Sequence, residues 1–420
     1  MVQQVARSAT HRSQADDMQH RTRKERKFLD TEAHLPKATQ RNILQVLNPM
    51  AKSGGLGNKI PDILSYFGSR NPLPLSITKK DCVWLLDNIA YKSPSTGEWE
   101  AEFVACAFSQ ESSCDVLEAV TKVANKIDLK DDDPAFDTIG ERIQPFLQDI
   151  LPGRQVRALH GGSTKLVFSP GGRNGISSDV RRLPHSPAGM VVPTTAEVPK
   201  GTTGEVQMKT FFAEPEGWAV ISDIDDTIKI TQTSDPIGIL RTTFTEAPTP
   251  TKGLPELYAF IQTLITNTSP FFYLSASPYN LYPFLRNFRD QHYPHGQLIL
   301  RDASWMSVPG LLSNLTLGTQ EYKVSRMQKI HEWLPSRKMI LIGDSTQSDP
   351  ESYGDIYREF PGWVKIILIR KVTDIAAIGI ESKNEPKRFE KAFKDVPKGV
   401  WHVFEDPAEC NKIIQDAVSK

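Results

Sequence analysis

Cysteine is scarce in this chain of 420 residues: Cys82, Cys106, Cys114 and Cys410 show neither paired metal-ligand spacing nor the density of a disulfide framework. Reduced thiols in a cytosolic setting follow, with Cys82 and Cys106 read as core residues of strand-like runs. The nine histidines form no H-E-x-x-H or H-x-x-x-H pair, so zinc chemistry is not indicated. No apolar stretch approaches the roughly 20 residues that a spanning helix needs. The first thirty residues also lack the apolar centre of a secretory signal. An excess of one charge is missing too: 50 basic and 50 acidic side chains cancel. No global field therefore favours nucleic acid or an anionic bilayer, and any membrane affinity has to be local.

What is present reads as a soluble globular chain, 39% hydrophobic and 24% charged, long enough for two domains. Residues 1–38 are charged, lack apolar periodicity and predict a disordered arm carrying the basic run Arg21, Arg23, Lys24, Arg26 and Lys27. Residues 39–214 predict a smaller strand-rich α+β domain with a helical insertion and a linker. Within it, 82–91 and 99–108 read as a hairpin, and 113–127 as a helix capped by Ser113. An apolar stripe at Phe136, Ile139, Ile143, Phe146, Leu147 and Ile150 predicts a second helix, kinked at Pro145. Strand-like pieces follow at 155–159, 165–168 and 204–213, and the proline-rich piece 184–199 reads as loop. Over 215–420 the pattern changes: apolar runs at 218–222, 271–275, 296–300, 339–343 and 364–369 alternate with helical stretches. Alternation of this kind predicts an α/β, doubly wound parallel sheet.

The chemistry concentrates at the ends of those runs. Asp223-Ile224-Asp225-Asp226-Thr227 follows the run 218–221, and period-two alternation puts Asp223 and Asp225 on the same side. Two carboxylates converging at a strand end suit metal binding and phosphoryl transfer; a surface acidic cluster is the bland alternative. Asp226 should turn away and be structural. Downstream, 271–274 ends in Ser275, and 339–342 ends in Gly343-Asp344 with Asp349 five residues on. Lys323 opens a helical stretch between them. In an open parallel sheet, these positions fall where ligands bind. Ser277 competes with Ser275 for one role. Asp349 has a second reading as a helix-initiating acid beside Pro350, and Lys323 one as a solvated helix residue.

The four elements in this order resemble the haloacid-dehalogenase-like phosphatases. The longer strings 220–229, 273–279 and 343–351 are more closely similar to the actin-patch phosphatidate phosphatase family, a magnesium-dependent branch. The similarity extends from about 205 to 395, and less clearly from 80 to 205. The resemblance implies Asp223 as the nucleophile that becomes an aspartyl-phosphate, and Asp225 as general acid and then base. It implies Ser275 and Lys323 as holders of the phosphoryl oxygens. Mg2+ would sit on the carboxylates of Asp223 and Asp344 and the backbone carbonyl of Asp225, with Asp349 orienting a metal-bound water. Lys229, Arg301, Arg370 and Lys371 are candidates for positive charge around a lipid head group, although each alone reads as a surface cation.

The implied activity converts phosphatidate to diacylglycerol and phosphate at a phosphatidate-containing membrane surface. The protein is then expected in the cytoplasm, peripheral at membranes and at cortical actin patches. Its partners would be actin-patch or endocytic proteins, with no nucleic acid. A phosphatase of a soluble phosphomonoester, or an interaction protein of membrane and actin patch, are the alternatives. Intervals of roughly fifty residues around the second motif are too short for a large folded cap and predict an open site. Family members can carry a proline-rich tail; no sustained P-x-x-P tract occurs in this chain.

Overall fold

The first sheet mixes strands buried throughout, such as Asp81–Leu85, with strands that bury alternate residues, such as Gln207–Phe212. The computed structural model describes residues 71, 73–112, 115–129, 133–172, 174–301, 319–373 and 379–419. The expected arm over 1–38 and the expected cap Ser113 lie outside these residues. Strands β1 (Leu75–Ser76), β2 (Asp81–Leu85), β3 (Asn88–Lys92) and β4 (Trp99–Ser109) precede helices α1 (Val116–Lys126) and α2 (Ala135–Leu147). The stretch 82–91 is two strands rather than one, because the chain breaks at Leu86 and Asp87; both pair antiparallel with β4. Asp115 caps α1 in place of Ser113, its Oδ1 accepting from the N–H of Leu117 at 2.9 Å and of Glu118 at 3.2 Å. Pro145 lies in the last turn of α2, which ends at Leu147. Its missing N–H thus falls near the helix end.

Six further strands follow: β5 (Arg154–Gln155), β6 (Arg157–His160), β7 (Thr164–Val167), β8 (Ile176–Arg182), β9 (Val191–Ala196) and β10 (Gln207–Phe212). β1 pairs with β5 alone, and the larger sheet runs β2-β4-β3-β10-β9-β6-β7, with β8 on β4. The stretch 184–199 is not all loop. β9 crosses it with Pro193 opposite Lys209, and the Pro193 carbonyl accepts from Gly161 N at 2.8 Å. A proline is accommodated where the pairing uses its carbonyl and not the N–H it lacks.

The second sheet is built from β11 (Gly217–Asp223), β12 (Phe271–Pro278), β13 (Gln297–Arg301), β14 (Arg337–Asp344), β15 (Val364–Arg370) and β16 (Trp401–Phe404). Helices α3 (Pro236–Phe244), α4 (Leu254–Leu264), α5 (Tyr282–His292), α6 (Thr319–Trp333) and α7 (Asp349–Glu359) lie between them. Short α8 (Ile380–Lys383) and α9 (Pro386–Ala392) precede β16, and α10 (Cys410–Val418) follows it. Every pairing is parallel, in the order β13-β12-β11-β14-β15-β16. The apolar runs are buried on both faces. Val220, Tyr273, Ile340 and Ile342 join one core with α3, α4 and α5, while Ala219, Ile221, Leu341 and Ile369 join another with α6 and α7. The chain leaves β11 outward through β12 and β13, then returns to β14 on the other side. Strand order therefore reverses between β11 and β14, which opens a crevice at their carboxyl ends.

The two sheets are tied through Asp87, between β2 and β3. Its carboxylate accepts from Lys209 N at 2.8 Å and from Arg289 of α5 at 2.8 Å, and lies 3.2 Å from Arg286 Nε. Its N–H donates to Tyr282 Oη at 2.7 Å. Asp87 and Arg289 side chains are wholly buried, so losing one leaves the other's charge stranded. Asp290 still holds Arg289 at 2.5 Å, which softens the loss. Asp87→Ala should therefore destabilise the fold by about 3 kcal/mol, at the low end for a broken buried pair. Urea denaturation measures it, and a change within error would mean that this contact does not join the sheets.

Candidate active site

Parallel register brings the sequence-predicted residues to one crevice. Asp223 ends β11 opposite Leu274 of β12, and Ser222 lies opposite Ile342 of β14, so Ser275 and Asp344 emerge on either side. Lys323 comes from the first turns of α6, and Asp349 opens α7. Asp223, Asp225, Ser275, Lys323, Asp344 and Asp349 are each no more than 3% exposed. The acids thus lie below the surface, at the floor of the crevice.

Carboxylate oxygens of Asp223, Asp344 and Asp349 all lie within 4.8 Å of one another. Lys323 Nζ is 2.6 Å from Asp223 Oδ1 and also bonds Asp349. Thr227 Oγ1 is 3.2 Å from Asp223 Oδ2 and from Asp344 Oδ2, bridging the first and fourth motifs. Thr346 donates its N–H and hydroxyl to Asp344, and Asp344 N donates to Asp349 Oδ2 at 3.0 Å. Asp349 thus satisfies both of its readings, starting a helix and facing the cluster. Gly343 permits this approach: a Cβ there would lie 2.5 Å from Asp349 Oδ2.

Asp225 faces the hydroxyls instead. Its Oδ2 accepts from Ser275 at 2.5 Å and Ser277 at 3.3 Å, and its Oδ1 from Thr231 at 2.9 Å. Both rival serines meet one oxygen, Ser275 more closely, and Ser277 N donates to Ser275 Oγ at 2.9 Å. Asp226, at φ 61°, turns its carboxylate into the following loop, accepting from the N–H groups of Thr231, Gln232 and Thr233 and the Thr233 hydroxyl.

Burial and crowding set the electrostatics. Burial pushes the Asp344 carboxyl up to about 7, with the charges of Asp349 and Asp226 adding and Lys323 opposing. Asp223 is likewise raised by burial and Asp349, against Lys323. Lys323 is disfavoured as a cation by burial, but Asp223 and Asp349 outweigh this and raise it. One lysine does not neutralise three buried acids. The excess negative charge, with oxygen donors and no cysteine or histidine in the cluster, fits a hard divalent cation.

Comparison with known proteins fits this arrangement. Residues 218–371 match the family described as phosphatidate phosphatase APP1, catalytic domain. This segment is thus similar to that catalytic domain. A relative named Phosphatidate phosphatase APP1, from Saccharomyces cerevisiae, is 26% identical over 333 residues, covering 72% of this chain and 54% of the relative. A Schizosaccharomyces pombe protein named Uncharacterized protein C29B5.04c is 28% identical over 180 residues, covering 41% of this chain and 29% of its own length. The chain thus spans about half the length of the first relative, and less of the second.

The APP1-type segment does not contain every residue that shapes the site. Arg388, on α9, donates to the carbonyls of Ser345 and Gln347, each at 2.5 Å, and pairs with both carboxylate oxygens of Glu351 at 2.9 Å. It holds the loop that carries Asp344 and Asp349. No spacing rule marks it in the sequence. The expected head-group cations fare differently. Lys229, Arg301 and Arg370 are buried: Lys229 bonds Ile230 O and Thr231, Arg370 bonds Asp226 O at 2.7 Å, and Arg301 lies over the Tyr322 ring. They act inside the fold, because each finds acceptors or a ring there. Lys371 pairs with Glu405 at 2.7 Å.

Gly343→Ala should push Asp349 off the cluster and weaken divalent-cation binding severalfold with little loss of helix content, as isothermal titration and circular dichroism would read; unchanged binding would refute the close-approach role. A pH effect follows from Asp344. Its folded carboxyl holds a proton that the unfolded chain releases near the ordinary value of 3.8. Between about 4 and about 7 the folded state therefore binds more protons. In chelator, unfolding free energy should fall as pH rises through that window, and a divalent cation should reduce the fall. A rise across the same window in denaturant titrations would contradict the assignment.

Proposed function

We propose that this chain is a magnesium-dependent phosphatidate phosphatase with a haloacid-dehalogenase-like catalytic arrangement, converting phosphatidate to diacylglycerol and phosphate. The observation that carries the reading is the three-acid cluster with Lys323 at the strand-order reversal, inside the segment that matches the APP1 catalytic domain. The relative named Phosphatidate phosphatase APP1 supports the lipid substrate.

Asp223 is the nucleophile. Its buried carboxylate, oriented by Lys323 and Thr227, attacks phosphorus as the ester P–O bond breaks, leaving an aspartyl-phosphate. Asp225 is fixed by three hydroxyls in the same crevice. It gives its proton to the departing alkoxide and then takes one from the water that opens the acyl-phosphate. Ser275 and Lys323 take the phosphoryl oxygens once substrate displaces their present contacts. Asp223, Asp344, Asp349 and the Asp225 carbonyl would hold Mg2+, with Asp349 acting through water. Bound there, Mg2+ would neutralise charge on the phosphoryl oxygens. Among the described residues no helix is long and apolar enough to cross a membrane. In this reading the protein meets its substrate peripherally, from the cytoplasm.

Asp223→Asn and Asp225→Asn should each lower turnover by several orders of magnitude while leaving the unfolding midpoint near that of wild type. Activity on phosphatidate vesicles should vanish in chelator and return with Mg2+, and Asp344→Ala should abolish that rescue. Near-normal turnover in folded Asp223→Asn would end this mechanism. Good activity on soluble esters with none on phosphatidate would retain the phosphatase and remove the lipid.

A further inference from the structure

A polar cleft of about 460 Å³ adjoins the acids, its lining including Thr233, Thr346, Gln347, Glu351, Lys383 and Arg388. Thr346 links it to the catalytic floor, since its hydroxyl reaches Asp344 on one side and Thr233 Oγ1 at 3.0 Å on the other. Among the described residues the lining has no aliphatic or aromatic wall, so it receives a hydrated anion better than an acyl chain.

The charges around the cleft are unequally committed. Glu351 is neutralised by its two contacts with Arg388, whose remaining donors go to the backbone carbonyls of Ser345, Gln347 and Lys383. Arg388 therefore braces the wall. Lys383 is different: its Nζ donates to the neutral Ser234 hydroxyl at 2.9 Å, and among the described residues no carboxylate forms an ion pair with it. Burial lowers its pKa, and the charge of Asp344 is the largest influence opposing this. The motif lysine, Lys323, is already held by two carboxylates at a buried position. Within the lining, Lys383 is thus the cation without an ion-pair partner among the described residues.

We propose that Lys383 recognises the substrate phosphate, meeting the outer oxygens of a phosphomonoester as it enters over Thr346. This rests on the phosphatase reading and adds a residue beyond the matched segment 218–371. The shared chemistry is the phosphomonoester dianion, whether on a lipid or free in solution. A charge-assisted contact of this kind corresponds to roughly 10- to 100-fold in affinity.

The test is titration of inorganic phosphate, with Mg2+ present, into wild type, Lys383→Ala and Lys383→Arg, beside kinetics on a small soluble phosphomonoester and on phosphatidate vesicles. Lys383→Met keeps the aliphatic stem and serves if Lys383→Ala does not fold. We expect phosphate affinity to fall by about 10-fold or more in the neutral variants and to recover in Lys383→Arg. KM should rise on both substrates with kcat little changed. Equal phosphate affinity in wild type and Lys383→Ala, with hydrolysis intact, overturns the role of Lys383 and leaves the phosphatase. A KM effect confined to vesicles also overturns it, placing Lys383 against the bilayer instead. A wild type that neither binds phosphate nor hydrolyses either ester overturns both readings.

Discussion

Keeping three carboxylates within 4.8 Å of one another, out of water, is the constraint on which the rest of the site depends. Two like charges about 4 Å apart repel by about 4 kcal/mol even at an effective dielectric of about 20. Lys323 offsets part of this, and hydroxyl and N–H donors offset more: Thr227 bridges Asp223 and Asp344, and Thr346 donates twice to Asp344. These threonines orient Asp223 and Asp344 without neutralising them. The cluster accordingly keeps its affinity for a cation, and burial raises Asp344 and Asp223 instead of leaving them as ordinary carboxylates.

Such a cluster needs rigid support, which the parallel sheet provides. β11 is clamped on both sides, by β12 and by β14, and each of its faces is covered by a separate apolar core. The strand ends are therefore fixed to within the packing tolerance of a protein interior. The loops beyond them are fixed by single residues: Asp226 gathers the N–H groups of 231–233, Arg370 takes the Asp226 carbonyl, and Arg388 ties 345 and 347 to Glu351. Function sits on loops, but these loops have few free backbone groups.

Much of this is legible in the sequence alone. A strand buried on both faces must be apolar throughout, so 218–222, 271–275, 339–343 and 364–369 announced themselves by composition. Their polar end residues then located the crevice, and Asp223, Ser275, Lys323, Asp344 and Asp349 meet there. Less was legible where the cause is long-range. β8 and β9 are half-exposed and polar, and Pro193 argues locally for a loop until a neighbouring strand uses its carbonyl. α3 was not expected, although Asp235 caps it through Ile237 N at 3.0 Å and Pro236 opens it. Arg388 acts on residues 37 to 43 positions away, a distance at which no periodic pattern exists.

The same long range explains why the expected head-group cations proved to be interior. Lys229, Arg301 and Arg370 follow or end strand-like runs, and in a doubly wound sheet such positions turn inward toward the crevice walls as readily as outward. With 50 positive and 50 negative side chains in the sequence, cations buried inside the fold are poorly placed to draw an anion from solution. Attraction of a phosphate must then come from charge left uncompensated near the site. Among the described residues lining the cleft, Arg388 cancels Glu351 and leaves Lys383. A lysine lining the cleft outweighs a neutral whole-chain balance there, since solvent screens distant charges within about 10 Å and nearby ones much less.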